Sequence, residues 1–270
     1  MTSPIKAVIF DWAGTMIDFG CLAPVDALVS AFAGEGVAIT ADEARRDMGR
    51  AKRDHVASLL TAPRIADAWR TQHGAAPTTQ DGDRVFAALE PLMARAAERR
   101  SQLIPGAAAI AAELAAEGVK IGSCTGYTRA MMAPILPLAA AQGYAPAAVI
   151  CAGETPSGRP SPLMAWAALI ELDAWPASAC VKVDDAEVGM AEGRAAGCWT
   201  IGLAASGNGV GLDLADYQAL PEPERRARIA AAARSLTAAG ADYVVDSVAD
   251  LTPALTAIAA RIAAGERPGG

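Results

Sequence analysis

Short apolar runs that alternate with helix-like segments constrain the fold of this chain more than any other feature. Each run is rich in β-branched or other apolar residues and is bounded by Gly, Asp or Pro, as strands are. The runs predicted as strands are Ala7–Phe10, 119–124, Ala148–Cys151, 180–183, Trp199–Leu203 and Tyr243–Val245. The segments predicted as helices between them are 106–117, 129–142, 161–172 and 187–196. Because such alternation is typical of parallel βαβ units, the sequence predicts an α/β fold with a doubly wound parallel sheet.

The stretch from about residue 21 to residue 102 departs from this alternation. It contains no convincing strand, and its amphipathic segments predict the helices 24–34, 41–48, 52–60, 65–73 and 83–100. We therefore expect a small all-helical cap domain, residues 21–100, inserted after the first strand through linkers near 19–22 and 101–105. Residues 1–20 and 101–264 then form the core, and residues 265–270 are expected to be a disordered tail.

Composition and charge limit the classes of protein to which this chain can belong. Hydrophobic residues make up 53% of the 270 residues, enough for a sizeable core and too many for a disordered chain. The net charge of −7 argues against nonspecific nucleic-acid binding, and no apolar stretch is long enough to cross a membrane. The first residues lack the apolar segment of a signal peptide. The five cysteines form no CxxC pair, which favours reduced thiols in a cytoplasmic protein.

The first predicted strand is followed directly by an acid. Asp11 begins the sequence Asp11-Trp-Ala-Gly-Thr15, and open α/β sheets place reacting groups at the carboxyl ends of their strands. Phosphate-handling enzymes with this pattern normally have a second aspartate two residues later, which protonates an alkoxide leaving group. Here that position is Ala13, so the chain keeps a nucleophile and lacks the usual proton donor. A turn or helix-cap role for Asp11 is the alternative.

Polar residues also follow the other predicted strands. Thr125 and Gly126 offer a hydroxyl and an open backbone to an oxyanion, and Arg159 precedes a helix in a Gly-Arg-Pro loop that suits phosphate binding. Asp184 and Asp185 are adjacent carboxylates, which suit Mg²⁺. Helix caps and a solvated loop cation are the alternatives for each group taken alone. Their common position at one sheet edge predicts a phosphoryl-binding site with a metal.

A basic stretch in the insert, residues 45–55, adds a candidate amine. Met48, Lys52 and His55 share one helix face if the helix runs on or resumes past Gly49, and Gly49 permits close backbone approach. A lysine flanked by cations and partly desolvated by methionine is expected to have a lowered pKa, and a neutral amine attacks an aldehyde. A solvated, basic helix face is the alternative, and it accounts for most of the three arginines Arg45, Arg46 and Arg53.

Five segments together resemble the phosphonoacetaldehyde hydrolase (phosphonatase) family of the haloacid dehalogenase superfamily. They are Asp11-Trp-Ala-Gly-Thr15, Met48-Gly-Arg-Ala-Lys52, Thr125-Gly-Tyr127, Gly158-Arg-Pro160 and Lys182-Val-Asp-Asp185. The resemblance covers about residues 5–260, and the combination of Ala13 with a cap lysine is highly specific to this family. It implies a Rossmann-like core with a helical cap, a homodimer built through the caps, and Mg²⁺-dependent cleavage of phosphonoacetaldehyde to acetaldehyde and phosphate.

The resemblance also implies roles for individual residues. Asp11 is expected to be the nucleophile, and Lys52 is expected to form a Schiff base with the substrate. The expected metal ligands are Asp11, the Ala13 carbonyl, Asp184 and Asp185. The residues expected to bind phosphoryl oxygens or to line the cap side of the site are Thr125, Gly126, Arg159, Gly49, Met48, His55, Cys21 and Tyr127. His55 is also the candidate proton shuttle for Lys52.

The chain departs from its relatives at one point. Related enzymes often have a Gly-Asp pair with a further Asp four residues later, whereas here the pair is Asp184-Asp185 and the later position is Gly189. Asp184 is therefore expected to supply the carboxylate that Gly189 lacks, and which aspartate touches the metal stays open.

Ala13 fits cleavage of a C–P bond, because an iminium at Lys52 accepts the electrons of the departing carbanion.

Two other functions are compatible with parts of this pattern. The first is another capped phosphatase or mutase of the haloacid dehalogenase type, against which Ala13 counts because an alkoxide would lack its acid. The second is a noncatalytic ligand-binding relative that retains a degenerate site. An essential lysine and covalent labelling of Lys52 by borohydride would distinguish the hydrolase from both.

Overall fold

A computed structural model of the chain describes residues 3–269, and the predictions made for Met1, Thr2 and Gly270 lie outside the described residues. Six strands form one parallel sheet: β1 (Ala7–Phe10), β2 (Lys120–Thr125), β3 (Ala148–Cys151), β4 (Cys180–Asp184), β5 (Trp199–Leu203) and β6 (Tyr243–Val245). Their order is β3-β2-β1-β4-β5-β6. The chain thus moves outward on one side of β1 and then on the other, which confirms the predicted doubly wound sheet.

Alternate residues of β1 face opposite layers of helices, as a buried parallel strand requires. Val8 and Phe10 belong to the large apolar cluster on one face of the sheet, whereas Ala7 and Ile9 belong to a separate cluster on the other. All four residues of β1 are buried. Strand β1 is therefore packed on both faces, and this packing fixes the position of Asp11, the residue that follows it.

Strand pairing brings the ends of three strands to the same level. Phe10, the last residue of β1, lies opposite Ser123 of β2 and Val183 of β4. Strands β2 and β4 each extend one residue beyond the predicted end, because Thr125 pairs with β3 and Asp184 pairs with β5. The polar residues at the ends of β1, β2 and β4 consequently meet at one carboxyl edge of the sheet, as predicted from the sequence.

Five helices, with no strand among them, make up the predicted cap segment, residues 21–100. They are α1 (Ala23–Gly34), α2 (Ala41–Arg45), α3 (Lys52–Thr61), α4 (Pro63–His73) and α5 (Thr79–Arg99). Helix α5 begins four residues earlier than predicted because Thr78 caps it, accepting from the backbone N–H of Asp81. The helical cap agrees with the predicted fold class, while the exact domain borders stay a prediction.

The predicted helix 41–48 is wrong in its second half. Helix α2 ends at Arg45, because Asp47 and Gly49 adopt positive φ angles of 58° and 92°. Met48 and Gly49 thus lie in a turn between α2 and α3, so Met48 shares no helix face with Lys52 and His55. Only Lys52 and His55 share a helix, α3.

The core helices are α6 (Ala107–Ala116), α7 (Arg129–Met132), α8 (Ile135–Ala141), α9 (Leu163–Glu171), α10 (Glu187–Ala196), α11 (Leu214–Ala219), α12 (Glu222–Ala238) and α13 (Leu251–Ala263). The single helix predicted over 129–142 is two, because Pro134 has no N–H to continue the ladder from α7. No helix was predicted for the three segments α11, α12 and α13.

Several smaller expectations concern the chain as a whole. The five cysteines are buried and unpaired. Within residues 3–269, no helix combines the length and the apolar character needed to span a bilayer. In the predicted tail, Glu266 pairs with Arg261, and the N–H of Gly269 donates to Asp242. Disorder of residues 265–270 stays a prediction.

Candidate active site

A small cavity lies between the carboxyl edge of the sheet and the cap. We call it the active-site cavity, and it is lined by Asp11, Ala13, Cys21, Pro24, Met48, Gly49, Lys52, Thr125, Gly126, Tyr127, Asp185 and Ala186. Most of the site residues predicted from the sequence are in this set. The exceptions are Arg159 and Asp184, which lie directly beneath it, and His55, which lies within the cap.

Arg159 is the central cation of the core side. Its side chain is fully buried, and its Nη1 donates to Asp11 Oδ1 at 2.7 Å. Its Nη2 donates to the Cys124 carbonyl at 2.6 Å, and its Nε donates to Glu192 at 2.8 Å. All three nitrogens of the guanidinium therefore have protein partners. The solvated-cation alternative for Arg159 does not hold, since the group is locked beside the proposed nucleophile.

Asp184 is held by the protein on both of its oxygens. Lys182 Nζ donates to its Oδ2 at 2.6 Å, and the Ala186 N–H donates to its Oδ1 at 3.1 Å. Arg159 lies 3.4 Å from Oδ2, and Lys182 also approaches Glu192 at 3.6 Å. Although burial acts in the opposite direction, Arg159 and Lys182 lower the pKa of Asp184. Asp184 is thus an ionised anchor of a buried charge network.

Gly189 explains how this aspartate fits. A Cβ atom built on Gly189 would overlap the Asp184 carboxylate, so that carboxylate fills the space of a side chain at position 189. Gly193, one turn later on α10, has the same relation to Lys182 and Thr200. The two glycines let α10 approach β4 closely, which supports the expectation that Asp184 supplies the carboxylate missing at position 189.

Asp185 faces the cavity. Thr15 Oγ1 donates to its Oδ1 at 3.3 Å, and the Asn208 N–H donates to its Oδ2 at 2.7 Å. Burial, followed by the negative charges of Asp11 and Asp184, raises the pKa of Asp185 well above its ordinary value. No positively charged side chain in the described part of the chain forms an ion pair with it.

The donor set fits a divalent metal. Asp11, Asp184 and Asp185 offer carboxylate oxygens that all lie within 4.8 Å of one another. Burial and Asp184 raise the pKa of Asp11 to about 6, although Arg159 and Lys182 act in the opposite direction. Burial and neighbouring carboxylates raise the pKa of Asp11 and of Asp185, and a bound cation with oxygen ligands would relieve this repulsion.

Lys52 supplies the amine on the cap side. It is the first residue of α3, its side chain is buried at 2% exposure, and its Nζ lies 3.9 Å from Met48 Sδ. The Tyr127 ring lies under the same nitrogen, 5.5 Å from the ring centroid. Burial first, and the charge of Arg159 second, lower the pKa of Lys52, although Cys21, Asp11 and Asp185 act against them. From the sequence we expected neighbouring cations of the cap to lower the pKa of Lys52, whereas the cation that lowers it is Arg159 of the core.

His55 occupies a different environment. Its imidazole is fully buried and does not line the active-site cavity, and within residues 3–269 its ring nitrogens have only weak backbone contacts, with Arg46 and Ala44. Burial, followed by the nearby charge of Lys52, lowers the pKa of His55 to about 3. The ring is therefore neutral, and it belongs to the packing behind Lys52.

Glycines allow the cap loop to touch the core. A Cβ atom on Gly126 would overlap the Arg50 carbonyl, and the Gly49 carbonyl accepts from Arg159 at 3.4 Å. Cys21, at the entrance to the cap, has a positive φ of 53° and places its buried thiol in the cavity wall. The turn of residues 46–51 thus closes the site directly onto the strand ends.

Three residues that form hydrogen bonds or ion pairs at the site were not predicted from the sequence. Glu192 and Asn208 were not singled out, and Lys182 was quoted without a role. The Gly-x-x-x-Gly spacing of Gly189 and Gly193 around Glu192 is the one signal that indicates a helix packed closely on a strand. The solvated-face interpretation of Arg45 is wrong, because this side chain is half-buried against core residues.

Comparisons with known proteins agree with this fold and site. The sequence model of the haloacid dehalogenase-like hydrolases matches residues 5–197. A protein of Paraburkholderia phytofirmans named phosphonoacetaldehyde hydrolase is 50% identical over 98% of this chain and 99% of its own length. One of the same name from Nitratidesulfovibrio vulgaris is 42% identical over 98% of this chain and 95% of its own length.

A solved structure gives the same result. The crystal structure of a phosphonoacetaldehyde hydrolase-like protein from Oleispira antarctica superposes with a TM-score of 0.97, at 44% identity, over 99% of this chain and 97% of that one. The chain belongs to the haloacid dehalogenase-like hydrolases and, within them, to the phosphonoacetaldehyde hydrolase family.

Proposed function

We propose that this chain hydrolyses the C–P bond of phosphonoacetaldehyde, giving acetaldehyde and phosphate. The observation that carries this proposal is the pairing of a buried amine, Lys52, with a buried carboxylate, Asp11, in one small cavity. Ala13 stands where a phosphatase has its proton-donating aspartate. A site with an electron sink and no acid suits a carbanion leaving group, and the names of the relatives agree with this reaction.

Lys52 is proposed to begin the reaction. Its neutral amine adds to the aldehyde carbon, and loss of water gives a protonated imine. The lowered pKa of Lys52 supports this step, because only the unprotonated amine is a nucleophile. Met48 and Tyr127 provide the surroundings that keep water from the nitrogen.

Asp11 is proposed to attack phosphorus. As the carboxylate forms its bond, the C–P bond breaks, and its electron pair moves into the iminium to give an enamine on Lys52. Arg159, fixed by Glu192 and the Cys124 carbonyl, lies beside Asp11 and offsets the repulsion between the carboxylate and the phosphonate oxygens. Thr125 and the open backbone at Gly126 are proposed to hold the phosphoryl oxygens.

Two hydrolytic steps complete the balance. Water attacks the aspartyl-phosphate and releases phosphate, restoring the Asp11 carboxylate. The enamine takes up a proton at carbon, and water then hydrolyses the imine to release acetaldehyde and free Lys52. Since imine formation released one water, the sum is one water consumed for each C–P bond cleaved.

Mg²⁺ is the proposed metal, and Asp11, the Ala13 carbonyl and Asp185 are its proposed ligands. When bound, it would neutralise carboxylate charge and polarise a phosphonate oxygen. Asp185 is favoured over Asp184 as the direct ligand because it lines the cavity, whereas both oxygens of Asp184 already accept protein hydrogen bonds. Asp184 then acts from the outer shell by orienting Lys182 and Arg159.

The proton-shuttle role of His55 has weaker support. Its burial, its lowered pKa and its absence from the cavity wall favour a neutral spacer behind Lys52. A water molecule is the simpler proposed carrier between Lys52 and the substrate. A His55→Gln variant that keeps its turnover number would support the spacer role.

A homodimer through the cap and a cytoplasmic location complete the proposal. The large hydrophobic residues that are exposed within residues 3–269, Leu138, Trp166, Ile170 and Trp175, all lie on the core. We therefore expect a cap contact that is largely polar or made of small or partly buried residues. Light scattering of the purified chain, before and after charge reversal on the cap surface, tests this arrangement.

The function is tested by following both products from phosphonoacetaldehyde. We expect phosphate and acetaldehyde to appear in equal amounts, to stop appearing when a chelator removes Mg²⁺, and to return when Mg²⁺ is restored. An alkyl phosphate ester such as glycerol phosphate should be turned over at least about 10³-fold more slowly, since its alkoxide leaving group finds no acid at Ala13. Faster ester hydrolysis would indicate a phosphatase, and binding without product would indicate a noncatalytic relative.

A further inference from the structure

Arg45 connects the cap to the core by a set of directed hydrogen bonds. It is the last residue of α2, and its Nη1 donates to the Gly20 carbonyl at 3.1 Å and to Asn208 Oδ1 at 3.0 Å. Its Nη2 donates to the Gly211 carbonyl at 2.8 Å. In return, Asn208 Nδ2 donates to the Arg45 carbonyl at 3.3 Å. Arg45 and Asn208 thus hold each other through both side chains.

Asn208 is also tied to the proposed metal carboxylate. Its backbone N–H donates to Asp185 Oδ2 at 2.7 Å. Gly207, the preceding residue, packs so closely on Asp185 that a Cβ atom there would overlap the aspartate side chain. Ser206 Oγ donates to the Gly14 carbonyl at 2.8 Å, which fixes the start of the same loop. The loop of residues 206–211 therefore touches Asp185 on one side and the cap on the other.

We propose that Arg45 is a positioning residue that couples closure of the cap to the orientation of Asp185, acting through Asn208. The inference rests on the proposed role of Asp185 as a metal ligand. When the cap is seated, Arg45 holds Asn208 so that its N–H points at Asp185 Oδ2, while Oδ1 accepts only the longer hydrogen bond from Thr15 Oγ1 and is the oxygen left for a cation. When the cap lifts, the loop loses this restraint, and the carboxylate is less well oriented for a cation.

The geometry requires an arginine at this position. One planar guanidinium serves three acceptors on three different residues, and it lies flat on Gly211, where a Cβ atom would overlap its Cζ. A lysine has a single nitrogen and cannot reach all of these acceptors at once. An Arg45→Lys change is therefore expected to behave like loss of the side chain.

Direct measurement of Mg²⁺ affinity tests the coupling. Isothermal titration calorimetry of the full-length, ligand-free chain is done for wild type, Arg45→Met, Asn208→Ala and the double variant. Removing a partner from the outer shell of a metal site typically weakens binding tenfold or more, so we expect an increase in Kd of about tenfold for each single variant. The double variant should match the singles, because both act through one connection.

Arg46→Met is the matched control. Arg46 is the adjacent arginine, is exposed, and should leave the Mg²⁺ affinity unchanged. Circular dichroism and a thermal melt show whether each variant is folded at the titration temperature. Arg45→Lys, which keeps the charge, should reproduce the loss seen with Arg45→Met.

The possible outcomes separate this inference from the proposed function. Wild type that releases both products and binds Mg²⁺, while Arg45→Met binds it equally well, overturns the coupling and leaves the function intact. A raised KM with unchanged Mg²⁺ affinity also overturns it, because Arg45 would then hold only the cap. Wild type that binds no Mg²⁺ refutes the proposed metal site itself, and the inference with it.

Discussion

The core and the cap each bury a lysine near the same cavity, and the two lysines have opposite surroundings. Lys182 in the core lies 2.6 Å from Asp184 and 3.6 Å from Glu192. Burial and Arg159 lower its pKa, but the two carboxylates outweigh them and the pKa of Lys182 is raised. Lys52 in the cap has a thioether and an aromatic ring beside it, forms no ion pair within 4.0 Å among the described residues, and has a lowered pKa.

The two lysines show that the same energetic cost, desolvation of a buried amine, has two different consequences. Desolvation of an amine is offset by paired carboxylates in the core, which leaves a fixed cation that orients Asp184 and Glu192. In the cap it is offset only in part, by Cys21, Asp11 and Asp185, so the pKa of Lys52 is lowered and the neutral form that reacts with a carbonyl is easier to reach. In the core, ion pairs therefore fix the positions of Lys182 and its carboxylate partners. In the cap, Lys52 forms no ion pair among the described residues, and this leaves its amine more reactive.

The largest effect should come from replacing the cap lysine. Lys52→Met keeps the length and apolar packing of the side chain but removes the amine. We expect kcat/KM for phosphonoacetaldehyde to fall by about 10⁴-fold or more, as for loss of a covalent catalyst. Because no ion pair is lost, the thermal midpoint should stay the same or rise. An active Lys52→Met variant would remove the chemical distinction between the two lysines.

The matching change in the core should act on stability. Lys182→Met removes one of the two cations that pair with the buried Asp184 and Glu192 and leaves only Arg159, and breaking a buried pair in this way typically costs about 3–5 kcal/mol. Urea denaturation of both variants side by side gives the comparison directly. Equal stability of Lys182→Met and Lys52→Met would show that the pairing of Lys182 has no energetic consequence.

The linker between core and cap offers a smaller, pH-dependent effect. Asp18 is buried, one of its oxygens accepts from the Ala23 N–H at 2.8 Å, and the other has no partner within residues 3–269. Burial raises the pKa of Asp18 from 3.8 to about 6. Between these values the folded chain holds a proton that the unfolded chain has lost, so this residue lowers stability as pH rises through that window.

Asp18→Asn should relieve this cost. The amide keeps an acceptor for Ala23 and does not ionise, so we expect it to stabilise the fold by up to about 3 kcal/mol above pH 6. Little gain is expected near or below pH 3.8, where the native carboxyl is already protonated. Urea titrations across this range measure the effect, and a gain that does not depend on pH would contradict the assignment to Asp18 ionisation.

The smallest effect concerns the anion that steadies Arg159. Glu192→Gln keeps an acceptor for Arg159 Nε but removes the charge, and a loss of about tenfold in kcat with a smaller change in KM is expected. Glu187→Gln, on the exposed side of the same helix, is the control. If Glu192→Ala is no worse than Glu192→Gln, the hydrogen bond to Arg159 does not position it.

Much of the fold and the core side of the site follows from local sequence patterns. Each apolar strand is followed by its reactive group, so the meeting of Asp11, Thr125 and Asp184 at one edge needed only the βαβ rule. The ends of elements were less predictable, since Pro134 and Asp47 break helices that the apolar pattern would continue.

The remaining features depend on tertiary contacts that leave little trace in local patterns. Helix α12 was missed because its apolar residues are mostly alanines spread around the helix, and only Ala232 and Leu236 are buried. Glu192 and Arg45 resemble surface charges in sequence, and only the approach of α10 to β4 and of α2 to the 206–211 loop gives them partners. Asp185 was predicted as a site residue, but the hydrogen bond that it accepts from Asn208, 23 residues later in the chain, was not.

Trapping the covalent adduct on Lys52 tests the central claim most directly. Borohydride is added to wild type and to Asp11→Asn during incubation with phosphonoacetaldehyde, and the modified peptide is identified by mass spectrometry. Because Asp11→Asn cannot cleave the C–P bond, it should carry a phosphonoethyl group on Lys52, whereas wild type should also yield an ethyl group. Unmodified Lys52 in both proteins, with phosphate still released by wild type, would contradict the account.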